Sequence, residues 1–258
     1  MAKPRVMVLR APGTNCDQET AYAFVQAGGL ADVHHVNRLL ENPPLARDYQ
    51  ILCVPGGFSY GDDVAAGRIL GNLFQHHLKE ALTEFKAAGK LILGICNGFQ
   101  VLIKSGVLLA DDAQGAPATL CLNDSGRYTD RWVHLTAEGD KCVFLRGIQQ
   151  LELPVAHAEG KFVARNQAEL DRLARGGQLV LRYTGPDGSP AAGFPANPNG
   201  SQANVAGICD ETGRVLGLMP HPERNIDPTH HPQWTRRRNA DPGDGLQLFV
   251  NAVNYFAA

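Results

Sequence analysis

Cys96 stands between two glycines in Gly94-Ile95-Cys96-Asn97-Gly98, with strand-forming residues before it and a helix-like pattern after it. Two readings fit this stretch. A free cysteine is commonly a small buried hydrophobe. A cysteine on a strand-to-helix turn is also how a nucleophile elbow is built, because flanking glycines relieve crowding and the open N–H groups of a helix start favour a thiolate. His221 and Glu223 lie in Met-Pro-His-Pro-Glu-Arg (219–224). Each proline drives the residue before it to extended angles, and residues two apart in extended chain share a side. An imidazole oriented by a carboxylate is the base half of a nucleophilic triad; a solvated surface turn fits the same letters. The run Val-Pro-Gly-Gly-Phe-Ser-Tyr-Gly-Asp-Asp (54–63) is the third feature. No Gly-Lys-Ser/Thr follows it, which excludes a P-loop. The N–H groups of Gly57 and Asn97 can converge on an oxyanion, or the run is a tight turn without a ligand. Taken together, a nucleophile, an oriented base and oxyanion donors define acyl transfer through a thioester.

Each of these groups follows a predicted strand. Residues 5–9, 31–36, 50–55 and 90–95 read as strands, and 17–29, 68–88 and 99–106 as helices. This alternation predicts an open, mostly parallel α/β sheet with helices on both faces, whose active groups sit on loops at the carboxyl ends of strands. The second half is less regular. Strand-like runs at 118–123, 131–136, 151–156, 161–166, 179–183, 204–210 and 215–220 are separated by turns, and residues 244–256 place Leu248, Phe249, Ala252 and Val253 on one helix face. Without a repeat or a long linker, residues 1–258 read as a single domain.

The totals narrow the functional class. Lys+Arg 24 against Asp+Glu 26 leaves a net charge of −2, with no basic excess for nucleic acid. The six cysteines are scattered without a CxxC pair, which argues against a disulfide framework or a zinc site and for reduced thiols in the cytoplasm. Cys53 and Cys209 read as buried structural thiols. The apolar start of the chain is too short for a signal-peptide core or a membrane span.

The motifs resemble a known family. A strand, Gly-Ile-Cys-Asn-Gly-Phe-Gln and a distant His-Pro-Glu are similar to the class I (triad) glutamine amidotransferases, whose sheet is flavodoxin-like. The elbow variant Cys-Asn-Gly-Phe-Gln, with residues 12–20, 54–63, 154–162, 197–201 and 217–224, resembles the branch that serves phosphoribosylformylglycinamidine synthase as its glutaminase. The motifs come in the family's order, and the resemblance spans residues 12 to 256. It implies that Cys96 attacks the side-chain amide of L-glutamine, that His221 manages protons, that Glu223 holds His221, and that the N–H groups of Gly57 and Asn97 stabilise the oxyanion. It also implies that Gly56, Phe58, Gln100 and the segment His157, Gly160, Lys161 and Phe162 meet the substrate glutamine. His157 can equally be structural or partner-facing. Thr14, Asn15 and Asp17 lie near the site in the family, or simply cap the first helix.

This chain carries no ATP-binding motif. The resemblance therefore implies no cofactor and no metal here, with ATP and Mg used by a large synthetase subunit that receives the ammonia, alongside a small accessory subunit. No nucleic-acid or membrane partner is expected. The connection 225–245 is long; Trp234 with Arg236, Arg237 and Arg238 forms a docking surface or a solvated loop, and His230-His231 lacks the further ligands a metal needs. Two competing functions remain open. A cysteine hydrolase acting alone on peptides is one, although such relatives place a histidine beside the elbow cysteine, where Asn97 stands. A non-enzymatic binding module with an inert Cys96 is the other.

Overall fold

Apolar runs and amphipathic stretches alternate through the first hundred residues, and they fold as alternating strands and helices. A computed structural model describes residues 3–139, 141–236 and 242–256. It opens with β1 (Arg5–Arg10), α1 (Asp17–Gln26), β2 (Leu30–His35), α2 (Val36–Glu41), β3 (Ile51–Val54), α3 (Arg68–Leu73), α4 (Lys79–Ala87), β4 (Leu91–Ile95) and α5 (Asn97–Lys104). There follow β5 (Ala118–Cys121), β6 (Thr129–Ala137), β7 (Gln150–His157), β8 (Lys161–Ala164), α6 (Gln167–Arg175), β9 (Leu181–Thr184), β10 (Val205–Cys209), β11 (Val215–Leu218) and α7 (Leu246–Asn254).

One nine-stranded sheet runs β2-β1-β3-β4-β11-β10-β9-β6-β7. The strands from β2 to β11 in this order pair in parallel, and β10, β9, β6 and β7 extend the sheet in antiparallel. β5 and β8 pair separately. β3, β4 and β11 are buried along their whole length, as expected for strands covered on both faces. α1 packs with α7, and α5 with α3. No described helix is long and apolar enough to cross a membrane.

The sequence predicts one helix over 68–88, whereas the structure breaks it. A π-helical turn, Phe74–Leu78, separates α3 from α4 and lets both Phe74 and Leu78 stay buried. α6 has no counterpart in the sequence reading, which runs the preceding strand on to Asn166. Instead, Asn166 Oδ1 accepts from Glu169 N at 2.9 Å and caps a helix. α2 was likewise not anticipated; it starts where His35 Nδ1 accepts from Asn37 N.

Two glycines seat α5 on the centre of the sheet. Gly94 of β4 pairs in register with Gly217 of β11. A Cβ at 94 would lie 2.6 Å from Leu102 Cδ1, and one at 217 would lie 2.3 Å from Phe99 Cδ2. Gly98 is tighter still, because a Cβ there would fall 1.8 Å from Val54 O. That neighbour is backbone in a buried strand and cannot give way. Gly98→Ala should therefore cost about 3 kcal/mol or more of stability. Urea denaturation checks this, and an unchanged midpoint would show that the contact is not tight.

Candidate active site

Cys96 joins β4 to α5 with φ 50 and ψ −105, a left-handed backbone that few non-glycine residues adopt. Strain of this kind persists where the surroundings fix it. Here Cys96 N donates to Leu218 O at 2.8 Å, and Gly98 locks α5 against β3. The thiol is buried, and its Sγ lies 3.6 Å from Ala156 O at the end of β7.

His221 follows β11, the strand beside β4, so it arrives at the same carboxyl edge. Its N–H donates to Pro154 O, which ties the turn to β7. Nδ1 donates to Glu223 Oε1 at 2.6 Å, with both side chains buried. This bond fixes the ring and leaves Nε2 as the reactive nitrogen, buried and without a hydrogen bond at ordinary length. Burial opposes charging the imidazole, but Glu223 and, after it, Cys96 hold its pKa well above the usual histidine value.

The turn after β3 lies against these groups. Gly57 and Phe58 line a cavity of about 50 Å³ with Asp62, Ala66, Cys96, Gln100, Ala156, His157, Ala158 and Glu159. Phe58 N donates to Gly13 O at 2.9 Å. As the first residue of α5, Asn97 has an amide with no acceptor inside its helix. Its side chain bridges the loops, accepting from Ser59 N and donating to Asp62 Oδ1 and Gln100 Oε1. Phe58 stacks on Tyr128, both rings being substantially exposed. The cavity is small beside the roughly 300 Å³ or more of typical small-molecule sites.

Several expected substrate contacts are placed differently. Gly56 does not line the cavity; it backs His221, and a Cβ there would lie 2.7 Å from Cε1. Gln100 faces the cavity, but its amide is spent internally, with Nε2 donating to Glu159 O at 2.7 Å. Gly160, Lys161 and Phe162 lie outside the lining. Gly160 N donates to Asn123 Oδ1, Phe162 N donates to Ser201 Oγ, and Lys161 pairs with Asp124. Nor do Thr14, Asn15 and Asp17 cap α1, which has no side-chain cap. Thr14 accepts from Ala11 N, Asn15 accepts from the Cys16 thiol, and Asp17 pairs with Arg10.

The motif containing His157 hides a residue that sequence reasoning missed. Asn123 Oδ1 accepts from both Gly160 N and His157 Nδ1, while its Nδ2 donates to His157 O. His157 is thereby the Nδ1–H tautomer, with a bare buried Nε2 beside the cavity. Burial and then His221 push its pKa down to about 3. A histidine with a depressed folded pKa adds stability above its unfolded value of about 6.5 and loses it as pH falls towards 3. Over that range the wild type should lose up to a few kcal/mol that His157→Gln does not. Melting temperatures measured from pH 7 to 4 test this, and parallel curves would contradict it.

Cys53 and Cys209 are fully buried, and burial raises the Cys53 thiol well above its ordinary value. Cys16, His221 and Glu223 offer ligand atoms within 4.8 Å of one another. A cation fits poorly there, because the Arg224 guanidinium donates to Cys16 Sγ at 3.1 Å and a proton already joins Nδ1 to Glu223. His231 is buried against Trp132 and Glu152, while His230 is exposed, so the two do not share a ligand. Trp234 is exposed, and Arg237 and Arg238 lie outside the described residues.

A buried thiol on a strained elbow and an imidazole oriented by a carboxylate, both at one sheet edge, are groups that acyl transfer uses. The family model of the CobB/CobQ-like glutamine amidotransferase domain matches residues 3–256, and the chain belongs to this family of glutamine amidotransferases. Its relatives are more particular. It is 44% identical over 256 residues to the phosphoribosylformylglycinamidine synthase subunit PurQ of Dehalococcoides mccartyi, covering 99% of this chain and 98% of that one. It is 41% identical over 266 residues to the subunit of the same name from Methanococcus maripaludis, covering 98% and 97%. A chain of PurLQS from Thermotoga maritima superposes with a TM-score of 0.74 at 29% identity, covering 99% of this chain and all of that one.

Proposed function

We propose that this chain is the glutaminase subunit of a phosphoribosylformylglycinamidine synthase, acting as one amidotransferase domain over residues 1–258. Cys96 Sγ attacks the amide carbon of L-glutamine as His221 takes the thiol proton. The N–H groups of Gly57 and Asn97 hold the oxyanion, and the field of the α5 N-terminus adds to them. The C–N bond breaks, His221 passes its proton to the departing ammonia, and a glutamyl thioester remains. His221 then takes a proton from water, whose hydroxide releases glutamate and returns the thiol. Glu223 keeps Nδ1 protonated throughout, so each transferred proton passes through Nε2.

The ammonia goes to a large synthetase subunit, which uses ATP and Mg to convert formylglycinamide ribonucleotide into formylglycinamidine ribonucleotide for purine synthesis in the cytoplasm. A small accessory subunit completes the complex. The likeness to PurLQS supports both partners. The observation that carries the chemistry is the orphaned His221 Nε2, oriented through Glu223 and set beside Cys96. Diazo-oxo-norleucine, an electrophilic glutamine analogue, tests it. Mass spectrometry should find one adduct, on Cys96, suppressed by glutamine. Labelling of other thiols with no protection would defeat the reading, and peptide cleavage without glutamine hydrolysis would favour a stand-alone hydrolase.

A further inference from the structure

A second thiol lies against the imidazole. Cys16 precedes α1, 80 residues from Cys96 in sequence, and is buried. Its Sγ and the Nδ1–Cε1 edge of His221 crowd the same point beside Gly56. A Cβ on Gly56 would lie 2.7 Å from Cε1, 3.1 Å from Cys16 Sγ and 3.4 Å from Nδ1. The sulfur is anchored from behind. Its S–H donates to Asn15 Oδ1 at 3.2 Å, and Arg224 Nη2 donates to it at 3.1 Å. Arg224 is held in turn by Glu19 at 2.9 Å. The catalytic scheme proposed above uses none of Cys16, Asn15, Arg224 and Glu19.

We propose that Cys16 is a positioning residue, a neutral sulfur wedge that grips His221 against Gly56 and aims Nε2 at Cys96. Burial, opposed by the hydrogen bond with His221, pushes this thiol up to about 11, so it stays uncharged at neutral pH. Charge here would matter, because a thiolate would compete with Glu223 for the imidazolium. A neutral sulfur fills the slot, accepts from Arg224 and leaves Glu223 as the anion that orients the ring. A serine hydroxyl has a shorter reach and fits loosely, whereas alanine leaves the slot open.

The inference rests on the glutaminase reading and is tested in the complex with its synthetase. Cys16→Ala should lower kcat for glutamine hydrolysis about tenfold, with KM within about twofold, since sub-ångström misplacement of a base acts on the chemical step. Cys16→Ser should fall between alanine and wild type. The titratable groups whose charge interacts with His221 are Glu223, Cys96, Cys16, His157 and Tyr128, with Arg224 behind Cys16. Cys16 adds to the proton affinity of His221, so the His221-dependent limb of the pH–kcat profile should move to lower pH in both variants. Wild-type kcat and profile in either folded variant would overturn the inference. So would a fall in kcat with a raised KM and an unmoved limb, which would mark a merely structural thiol. If Cys16→Ala does not fold, Cys16→Ser decides by the same readings. A wild-type complex without glutamine hydrolysis would instead sink the glutaminase reading itself.

Discussion

Cys96→Ser should abolish glutamine-dependent synthesis by the assembled complex, by a factor of about a thousand or more, while synthesis from added ammonia continues. The asymmetry follows from where the chemistry sits. The nucleophile belongs to this chain, and ammonia bypasses it. A serine hydroxyl at this elbow would keep its proton, and the bond from Sγ to the amide carbon would not form. Exchanging sulfur for oxygen leaves the backbone of the elbow alone, because φ 50 at residue 96 is fixed by Leu218 O and by the fit of Gly98 against Val54. The variant should therefore fold and dock as the wild type does. Steady-state rates with each nitrogen source give the answer, and glutamine-supported turnover near the wild-type rate would remove Cys96 from the mechanism.

Glu223→Gln should lower kcat by about a thousandfold or more, because a neutral amide can present either its oxygen or its NH2 to Nδ1 and no longer enforces the tautomer. It should also change the protonation of His221. The carboxylate helps hold the folded pKa of His221 above its unfolded value. A raised histidine pKa contributes stability that is fully present below the unfolded value and is lost as pH rises through the folded one. Removing the carboxylate should therefore lower the histidine-dependent limb of the rate profile and reduce stability most in the neutral and acidic range, by about 1–3 kcal/mol. Denaturant titrations at several pH values, run beside the rate profile, separate the two effects. A variant with full kcat would show that the 2.6 Å contact is incidental to catalysis.

The readable part of this site was the part encoded locally. His221 and Glu223 are two residues apart between prolines, and Cys96 lies on a strand–glycine–helix turn, so the chemistry of each could be judged within a few positions. The parallel half of the sheet was readable for the same reason, since each strand and its following helix adjoin in sequence. What sequence did not reveal depends on distant partners. The amides of Gly160 and Phe162 look available in their own motif, but Asn123 and Ser201, nearly forty residues away on either side, occupy them. The family resemblance implies a substrate contact at Gly56, whereas a Cβ there would lie 2.7 Å from His221 Cε1. The role of Cys16 depends on Arg224, 208 residues later. The π-helical turn left no mark on a periodic apolar pattern, and α6 was hidden because the preceding strand was extended over its cap.

The strand that carries His221 is synthesised last and inserted in the middle. β11 fits between β4 and β10 and is the last strand among the described residues. Until residues 215–218 emerge, the growing protein has two unfinished sheet edges where the fold will have its centre. The nucleophile is made more than a hundred residues before its base. In chain order the elbow thiol therefore precedes the imidazole and the carboxylate that complete the site. The strand that closes the middle of the sheet thus leads directly into the turn that carries His221 and Glu223.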